Sequence, residues 1–348
     1  SYFPVAKSYI IYRYEHAKVR AEKQEEVVKK IEERALIIKK RNGEPEIFSI
    51  EELRKTLTEG IAAENRSAVD IDAFLAQVQR EVYDGITTDE LEKTLIMVAR
   101  SMIEKDPAYD QLAAQLSLNV LYKDVFKDDA ASPASDAFGH QYRTAFVKNI
   151  THAVGLKLLD ERMLTYDLDK LATRLVPERD RLLKYMGVTT LLDRYFIADR
   201  SGKSKVVLET PQIFYMRIAM GLALNEKDNR EAWAPRFYEM ISTLRYVPAT
   251  PTLFNAGAIV PQLSSCYLNT VGDDLENIFK VYGDNAQMSK WAGGIGTDWT
   301  NIRGTGAFIK KAGIHSQGVV PFLKIANDVT VAINRSGRRR GATAVYLE

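Results

Sequence analysis

The sequence predicts a mixed α/β protein: a hairpin-and-helix module, then a helical stretch, then the start of a parallel α/β layer. Three observations carry this. Asn42-Gly43 lies between two short apolar runs, 36–38 and 47–48, which is the strongest short-range hairpin signal, and helical patterns follow it. From His140 to about residue 243, apolar residues recur mostly at helical spacing. Beyond residue 246, apolar runs at 265–271 and from 295 alternate with helical runs at 275–290 and 320–335, the pattern of strands joined by crossover helices.

Each element has its own justification. Residues 4–33 keep Val27, Val28 and Ile31 on one helical face, and the Lys/Glu alternation along 22–33 reads as a solvated face with i,i+4 pairs. After the hairpin over 36–48, Ser49 and Glu52 have capping-box spacing for a helix over 50–63. Helices are predicted over 70–83, 88–104 (capped by Thr87 or Thr88) and 108–125. Residues 128–139 are small, polar and proline-broken, and mark a domain boundary. Helical segments follow at 147–150, 156–159, 168–175, 180–185 and 187–195. A strand over 195–203 ends in a turn, 206–208 returns, and helices are predicted over 212–224 and 230–243.

The chain has 348 residues, enough for two or three domains, with 46% hydrophobic and 27% charged residues as in ordinary globular proteins. Its formal charge of +2 gives no reason to expect DNA or a membrane surface as partner. No apolar run approaches the ~20 residues of a membrane span, and no signal peptide opens the chain. One cysteine forms no internal disulfide, so a cytoplasmic location is expected. Residues 2–20 read as the tail of something and 345–348 as an unfinished strand, so a piece of a longer polypeptide is expected.

The residues with chemical potential cluster late. Cys266 stands at the start of a predicted strand with Ser264 and Ser265 before it; taken alone, it reads first as a small apolar core residue. At the strand's far end, Asp273 or Asp274 is placed to cap the following helix or to accept from sugar hydroxyls. Thr250 and Ser265 are hydroxyl residues read at strand ends. Gly293-Gly294-Ile295-Gly296 lacks both P-loop and dinucleotide spacing, but permits close backbone approach. Arg303 and Lys310 lie in a Gly-interrupted basic loop, whose plain reading is a surface ion pair of little energetic weight.

Ser264-Ser265-Cys266, Gly272-Asp273 and Ala292-Gly293-Gly294-Ile295-Gly296 together resemble the large catalytic subunit of class I ribonucleotide reductase. Thr250-Pro251 and the segment from Ser336 to Ala342, with its three arginines, fall where that family has matching motifs. The resemblance implies half of a ten-stranded α/β barrel over 246–348 and a helical N-terminal reductase domain over 140–245. The hairpin and four helices at 35–127 resemble an ATP-cone, and residues 1–34 the last helix of a preceding cone. It further implies that Cys266 is one of a redox-active cysteine pair, with Thr250, Ser265 and Gly294 near substrate. The second cysteine and the radical cysteine would come later in the barrel. Asp273, Asp274, Leu275, Arg303, Lys310 and Arg339 would form a specificity site for nucleotide effectors, built across a dimer interface. Lys40, Arg41, Glu46, Thr88 and Lys123 stand at the cone's nucleotide-contact positions. Glu52, Glu92 and Asn119 occupy other contact positions and oppose polyphosphate binding there. A degenerate, structural cone is therefore expected, with ATP or dATP held by a preceding one.

The implied activity is ribonucleoside-diphosphate reduction. ATP, dATP and dNTP effectors would bind with Mg, and no metal is expected in this subunit. The implied partners are a radical-generating β subunit, thioredoxin or glutaredoxin, and further copies of the chain as a homodimer and higher oligomers. Two alternatives stay open: an adenosylcobalamin-dependent reductase with the same barrel, and a stand-alone nucleotide-sensing module without activity.

Overall fold

Small polar side chains set the starts of the first helices. Ser49 Oγ accepts from the Glu52 amide at 3.2 Å, Asp70 from Ala73 at 2.9 Å, and Thr87 from Glu90 at 3.2 Å. Each satisfies one of the free amides of a first helical turn. The computed structural model describes residues 3–61, 66–127, 131–133, 135–202, 204–226, 229–290, 293–310, 312–333 and 341–348.

The chain begins with α1 (Phe3–Glu32), β1 (Ile37–Lys39), β2 (Pro45–Ile47), α2 (Ile50–Gly60), α3 (Ile71–Glu81), β3 (Ile86–Thr87), α4 (Thr88–Ser101) and α5 (Ala108–Phe126). The Asn-Gly hairpin forms as expected, pairing Ile38 with Glu46. A third strand was not expected: β3 joins β1 in parallel, with Ile38 opposite Ile86. The full capping box lies at Thr87 and Glu90, whose carboxylate accepts from the Thr87 amide at 2.9 Å, so Thr87 rather than Thr88 caps α4. At Ser49 only half the expected box forms: the hydroxyl accepts from the Glu52 amide and also donates to Glu51, without the return contact from the Glu52 carboxylate. Leu36, Phe74, Val78, Ile86, Ala99 and Ala113 close a core that α1 enters with Ile31.

Two compact units divide the chain. The first is Ser1–Ala130 with Glu178–Thr190; the second is Ala131–Pro177 with Leu191–Glu348. The returning segment of the first unit lies on α5. Tyr122 donates to the buried Asp180 carboxylate at 2.8 Å, Asp110 accepts from the Tyr185 amide at 2.9 Å, and Gln111 donates to Arg181 O at 2.8 Å. Burial, with the Asp180 charge adding, pushes the Tyr122 hydroxyl well above its ordinary pKa.

Between α5 and the thiol strand run α6 (Asp136–Gly155), α7 (Leu168–Ala172), α8 (Tyr185–Thr190), β4 (Ala198–Asp199), β5 (Val206–Val207), α9 (Pro211–Ala223), α10 (Arg230–Ser242) and α11 (Thr250–Asn255). Ser135 caps α6, so that helix starts inside the stretch read as a boundary. Residues 156–159 are not helical: Lys157 has φ 55 and Leu159 bridges Ala258. The β4–β5 hairpin is antiparallel, as expected.

The last stretch holds β6 (Cys266–Thr270), α12 (Leu275–Lys290), β7 (Gly294–Asp298), β8 (Phe308–Ile309), β9 (Ile314–His315), α13 (Val320–Ala332) and β10 (Thr343–Tyr346). The sheet order is β10-β7-β6 and both pairings are parallel, as strand–helix alternation predicts. Tyr282 of α12 donates to Phe322 O of α13 at 2.7 Å, and burial lifts its pKa to about 12. Val271, Ile278, Val281, Trp299 and Ala326 complete this core.

Candidate functional site

The thiol sits at the head of β6. The Gly294 amide donates to Ser265 O at 2.8 Å, and Cys266 then lies opposite Gly294 in the parallel ladder. Side chains alternate along the strand. Asn269 turns toward α12, donating to Asn285 at 2.7 Å, so Cys266, three residues away and therefore out of phase, opens on the opposite face. Cys266 is exposed there rather than packed as a core residue. The glycines on either side of Gly294 are needed for close contact between β6 and β7. A Cβ on Gly293 would lie 2.4 Å from the Tyr267 ring, and one on Gly296 2.6 Å from the Leu268 side chain.

Thr250 is not at a strand end, as the sequence suggested, but is the first residue of α11. Its Oγ1 lies 3.3 Å from the Tyr195 hydroxyl. The α11 turn also holds the lead-in to the thiol strand: Thr252 donates to Leu263 O at 3.2 Å and Asn255 to Gln262 O at 2.7 Å. Arg217 secures its other end, donating to Leu253 O at 3.2 Å and Ala256 O at 2.9 Å. Sequence reading passed over Arg217. Its one available signal was a basic residue in a run, 213–220, of otherwise apolar side chains.

The opposite end of β6 separates the two aspartates. Asp274 caps α12, accepting from the Asn277 amide at 3.0 Å, while Asn277 accepts from the Gly272 amide at 2.8 Å. Asp273 is thereby left to Arg303, whose Nε reaches Oδ2 at 2.7 Å and whose amide reaches Oδ1 at 3.3 Å. Thr300 fixes the approach to Arg303 by hydrogen-bonding Asp298, which holds that carboxyl below its usual range. Beside the pair lies a cavity of about 500 Å³, lined by Asp273, Asp274, Leu275, Arg303, His315 and Gln317 among others. Four expected effector residues thus meet at one cavity. Lys310 is exposed in the β8–β9 turn and does not line it. Arg339 lies outside the described residues. The wall contributed by β8 and β9 was missed, since two-residue strands leave almost no periodic signal.

In the first unit, the expected cone contacts are engaged with the protein's own acids. Arg41 meets Asp89 at 2.8 Å and Glu92 and Asp124 each at 3.3 Å; Lys123 also binds Glu92. Lys40 pairs with Glu46 at 3.3 Å, and Thr88 donates to Lys39 O at 3.2 Å. Burial raises the Asp124 pKa, and Asp89 and Glu92 add to it against the pull of Arg41. Asn119 accepts from Gln115 at 2.9 Å. Among the described residues, no three His, Cys, Asp or Glu side chains are placed to hold a metal ion, and no helix is long and apolar enough to cross a membrane.

Fold and geometry together define a class: a hairpin-and-helices module in one chain with a helical layer and a parallel α/β sheet carrying an exposed thiol. Family models match in that order: the ATP cone domain over 36–124, the ribonucleotide reductase all-alpha domain over 181–258, and the ribonucleotide reductase barrel domain over 264–348. A ribonucleoside-diphosphate reductase subunit alpha of Chlamydia trachomatis is 44% identical across 100% of this chain and 32% of its own length. One of Helicobacter pylori is 37% identical, over 90% of this chain and 38% of its own. The ribonucleoside-diphosphate reductase large subunit of Arabidopsis thaliana is 32% identical, over 90% and 37%. The chain belongs to the ribonucleotide reductase large-subunit family and corresponds to its N-terminal part. It spans about a third of the length of these curated relatives.

Proposed function

We propose that the chain is the regulatory N-terminus and first catalytic strands of a ribonucleoside-diphosphate reductase α subunit, reducing ribonucleotides to deoxyribonucleotides by radical chemistry. The exposed Cys266 thiol, opposite Gly294 and next to Ser265, is the observation that carries this reading. In the reduction the ribose C2′–O bond breaks, the hydroxyl leaves as water, and a C2′–H bond forms. Two thiols lose two electrons and two protons and join as a disulfide, which a thioredoxin or glutaredoxin dithiol reduces again. Cys266 supplies one thiol; the second, with the radical cysteine, belongs to a later part of the polypeptide. A metal-bearing β subunit starts the radical.

In this reading Thr250 and Ser265 contact substrate, and the cavity beside Asp273 takes a nucleoside triphosphate effector with its Mg. Arg303, Lys310 and Arg339 serve its phosphates or base. The assigned regions are 1–34 as the end of a preceding cone, 35–127 as a cone, 140–245 as the helical domain and 246–348 as the barrel start. The cone is structural, because Glu92 already holds both Arg41 and Lys123. The protein works in the cytoplasm as a homodimer or higher oligomer, without DNA or membrane. The relatives' names give the cobalamin alternative no support.

The test is Cys266→Ser in the complete polypeptide, assayed with its radical-supplying subunit and thioredoxin. Deoxynucleotide formation should be lost with the dithiol system. Undiminished turnover overturns the reading.

A further inference from the structure

Thr250 differs from the threonines within helices. Thr94, Thr151 and Thr330 each donate to the carbonyl four residues back, at 2.8 Å. Thr250 is the first residue of α11 and has no helical turn behind it to supply such a carbonyl. Its hydroxyl instead lies 3.3 Å from that of Tyr195.

The Tyr195 ring is fixed by its neighbours. It stacks on Phe254, one turn further along α11, with centroids 4.5 Å apart and planes at 12°. Phe214 of α9 stands across it, at 6.5 Å and 71°. The backbone beneath is a π-helical turn, Leu191–Tyr195, closed by the Phe196 amide donating to Leu191 O at 3.0 Å. Phe196 then packs on the same Phe214 ring at 5.4 Å.

One side chain therefore spans α11: its hydroxyl meets Thr250 and its ring covers Phe254. A phenol is a better hydrogen-bond donor than an alkyl alcohol. With Tyr195 donating, Thr250 Oγ1 is held in one orientation and keeps its own proton for a further acceptor. Hydrogen bonds chained in this way strengthen one another.

We propose that Tyr195 is a positioning residue for substrate, orienting the Thr250 hydroxyl to donate to a phosphate or ribose oxygen. The role rests on the reading of Thr250 as a substrate contact and adds the group that sets its direction.

Steady-state kinetics of the complete polypeptide, with its radical-supplying subunit and thioredoxin and with cytidine diphosphate varied, tests it. Tyr195→Phe keeps the ring and its stacking and removes only the hydroxyl. KM should rise about 2–10-fold, the range for one hydrogen bond, with kcat within about twofold of the unaltered enzyme. Thr250→Val should raise KM at least as far. Adding Tyr195→Phe to it should change nothing more, because a residue that acts through a hydroxyl has no effect once that hydroxyl is gone. A general loss of packing would instead act equally in both backgrounds. The positioning role is overturned if Tyr195→Phe leaves KM unchanged while Thr250→Val raises it, if the two changes add, or if Tyr195→Phe lowers kcat alone. If Thr250→Val itself leaves KM unchanged, the substrate reading of Thr250 falls, and the role of Tyr195 with it.

Discussion

Arg217 and Glu209 form a buried ion pair, Nε to Oε1 at 2.8 Å, with 0% and 4% of their side chains exposed. Glu209 also accepts from the Ile197 amide at 2.6 Å, and Arg217 spends its remaining donors on the α11 carbonyls. The guanidinium thus joins α9 to the turn that bears Thr250 and steadies the approach to Cys266. Removing it would strand a carboxylate in the interior. Arg217→Met should destabilise the second unit by about 3–5 kcal/mol. The residues of the first unit include no tryptophan, whereas Trp233 and Trp299 belong to the second, so urea unfolding followed by tryptophan fluorescence reads the second unit. An unchanged midpoint would contradict the pair's structural role.

Two helical glycines should respond in opposite directions to the same change. A Cβ at Gly221 in α9 would lie 2.1 Å from the Gly257 amide nitrogen and 2.5 Å from Ala256 C, both backbone atoms. Alanine gains up to about 1 kcal/mol in helix propensity, but overpacking costs about 1–3 kcal/mol and more against rigid backbone. Gly221→Ala should therefore destabilise. Gly283 in α12 has nothing within 4 Å of its would-be Cβ. Gly283→Ala should stabilise by up to about 1 kcal/mol. The same fluorescence assay decides both.

Local chemistry made the hairpin, the helix starts and the strand–helix alternation legible in sequence; partners distant in sequence decided the rest. Ser49-x-x-Glu52 and Thr87-x-x-Glu90 have identical spacing, yet only the second closes fully; at Ser49 the hydroxyl half forms and the carboxylate half does not. Thr250-Pro251 looked like an extended end, but Arg217, more than thirty residues away, accepts the role of partner to the α11 carbonyls. Asp273 and Asp274 were interchangeable as caps until Arg303 took one of them. The acids around Arg41 come from α4 and α5, so their convergence is a property of the fold and not of any short motif.

Acid should reveal the contribution of Asp84. Its carboxylate accepts from the Ile37 amide at 3.0 Å and from Lys30 at 3.1 Å. The Ile37 hydrogen bond first, and Lys30 second, hold its pKa below the ordinary value. A depressed folded pKa means the stabilisation is fully present above the unfolded value of about 3.9 and fades as pH falls through the folded value. Asp84→Asn should thus weaken the first unit by a constant amount near neutrality, and the difference should shrink below about pH 4. Hydrogen exchange across 36–48 at several pH values measures it.

The structural reading of the cone makes a gain-of-function prediction. Arg41 has three carboxylates around it, Asp89, Glu92 and Asp124, and Glu92 also holds Lys123. A triphosphate arriving there must displace these acids from the cations and then lie beside them, and like charges at such distances repel. Glu92, with 13% of its side chain exposed, is the least hydrated of the three and engages both cations. Asp89 makes the shortest contact to Arg41. Neutralising both should release Arg41 and Lys123 while leaving Asp124 to keep the local fold. The chain carrying Arg303→Ala, which should weaken the effector cavity proposed above, should show no micromolar ATP binding at the cone. Adding Glu92→Gln and Asp89→Asn should create measurable binding, seen as ATP-dependent protection from hydrogen exchange over α4 and α5. Micromolar ATP binding at the cone before those two changes would show that its acids yield to phosphate, and the structural reading would fail.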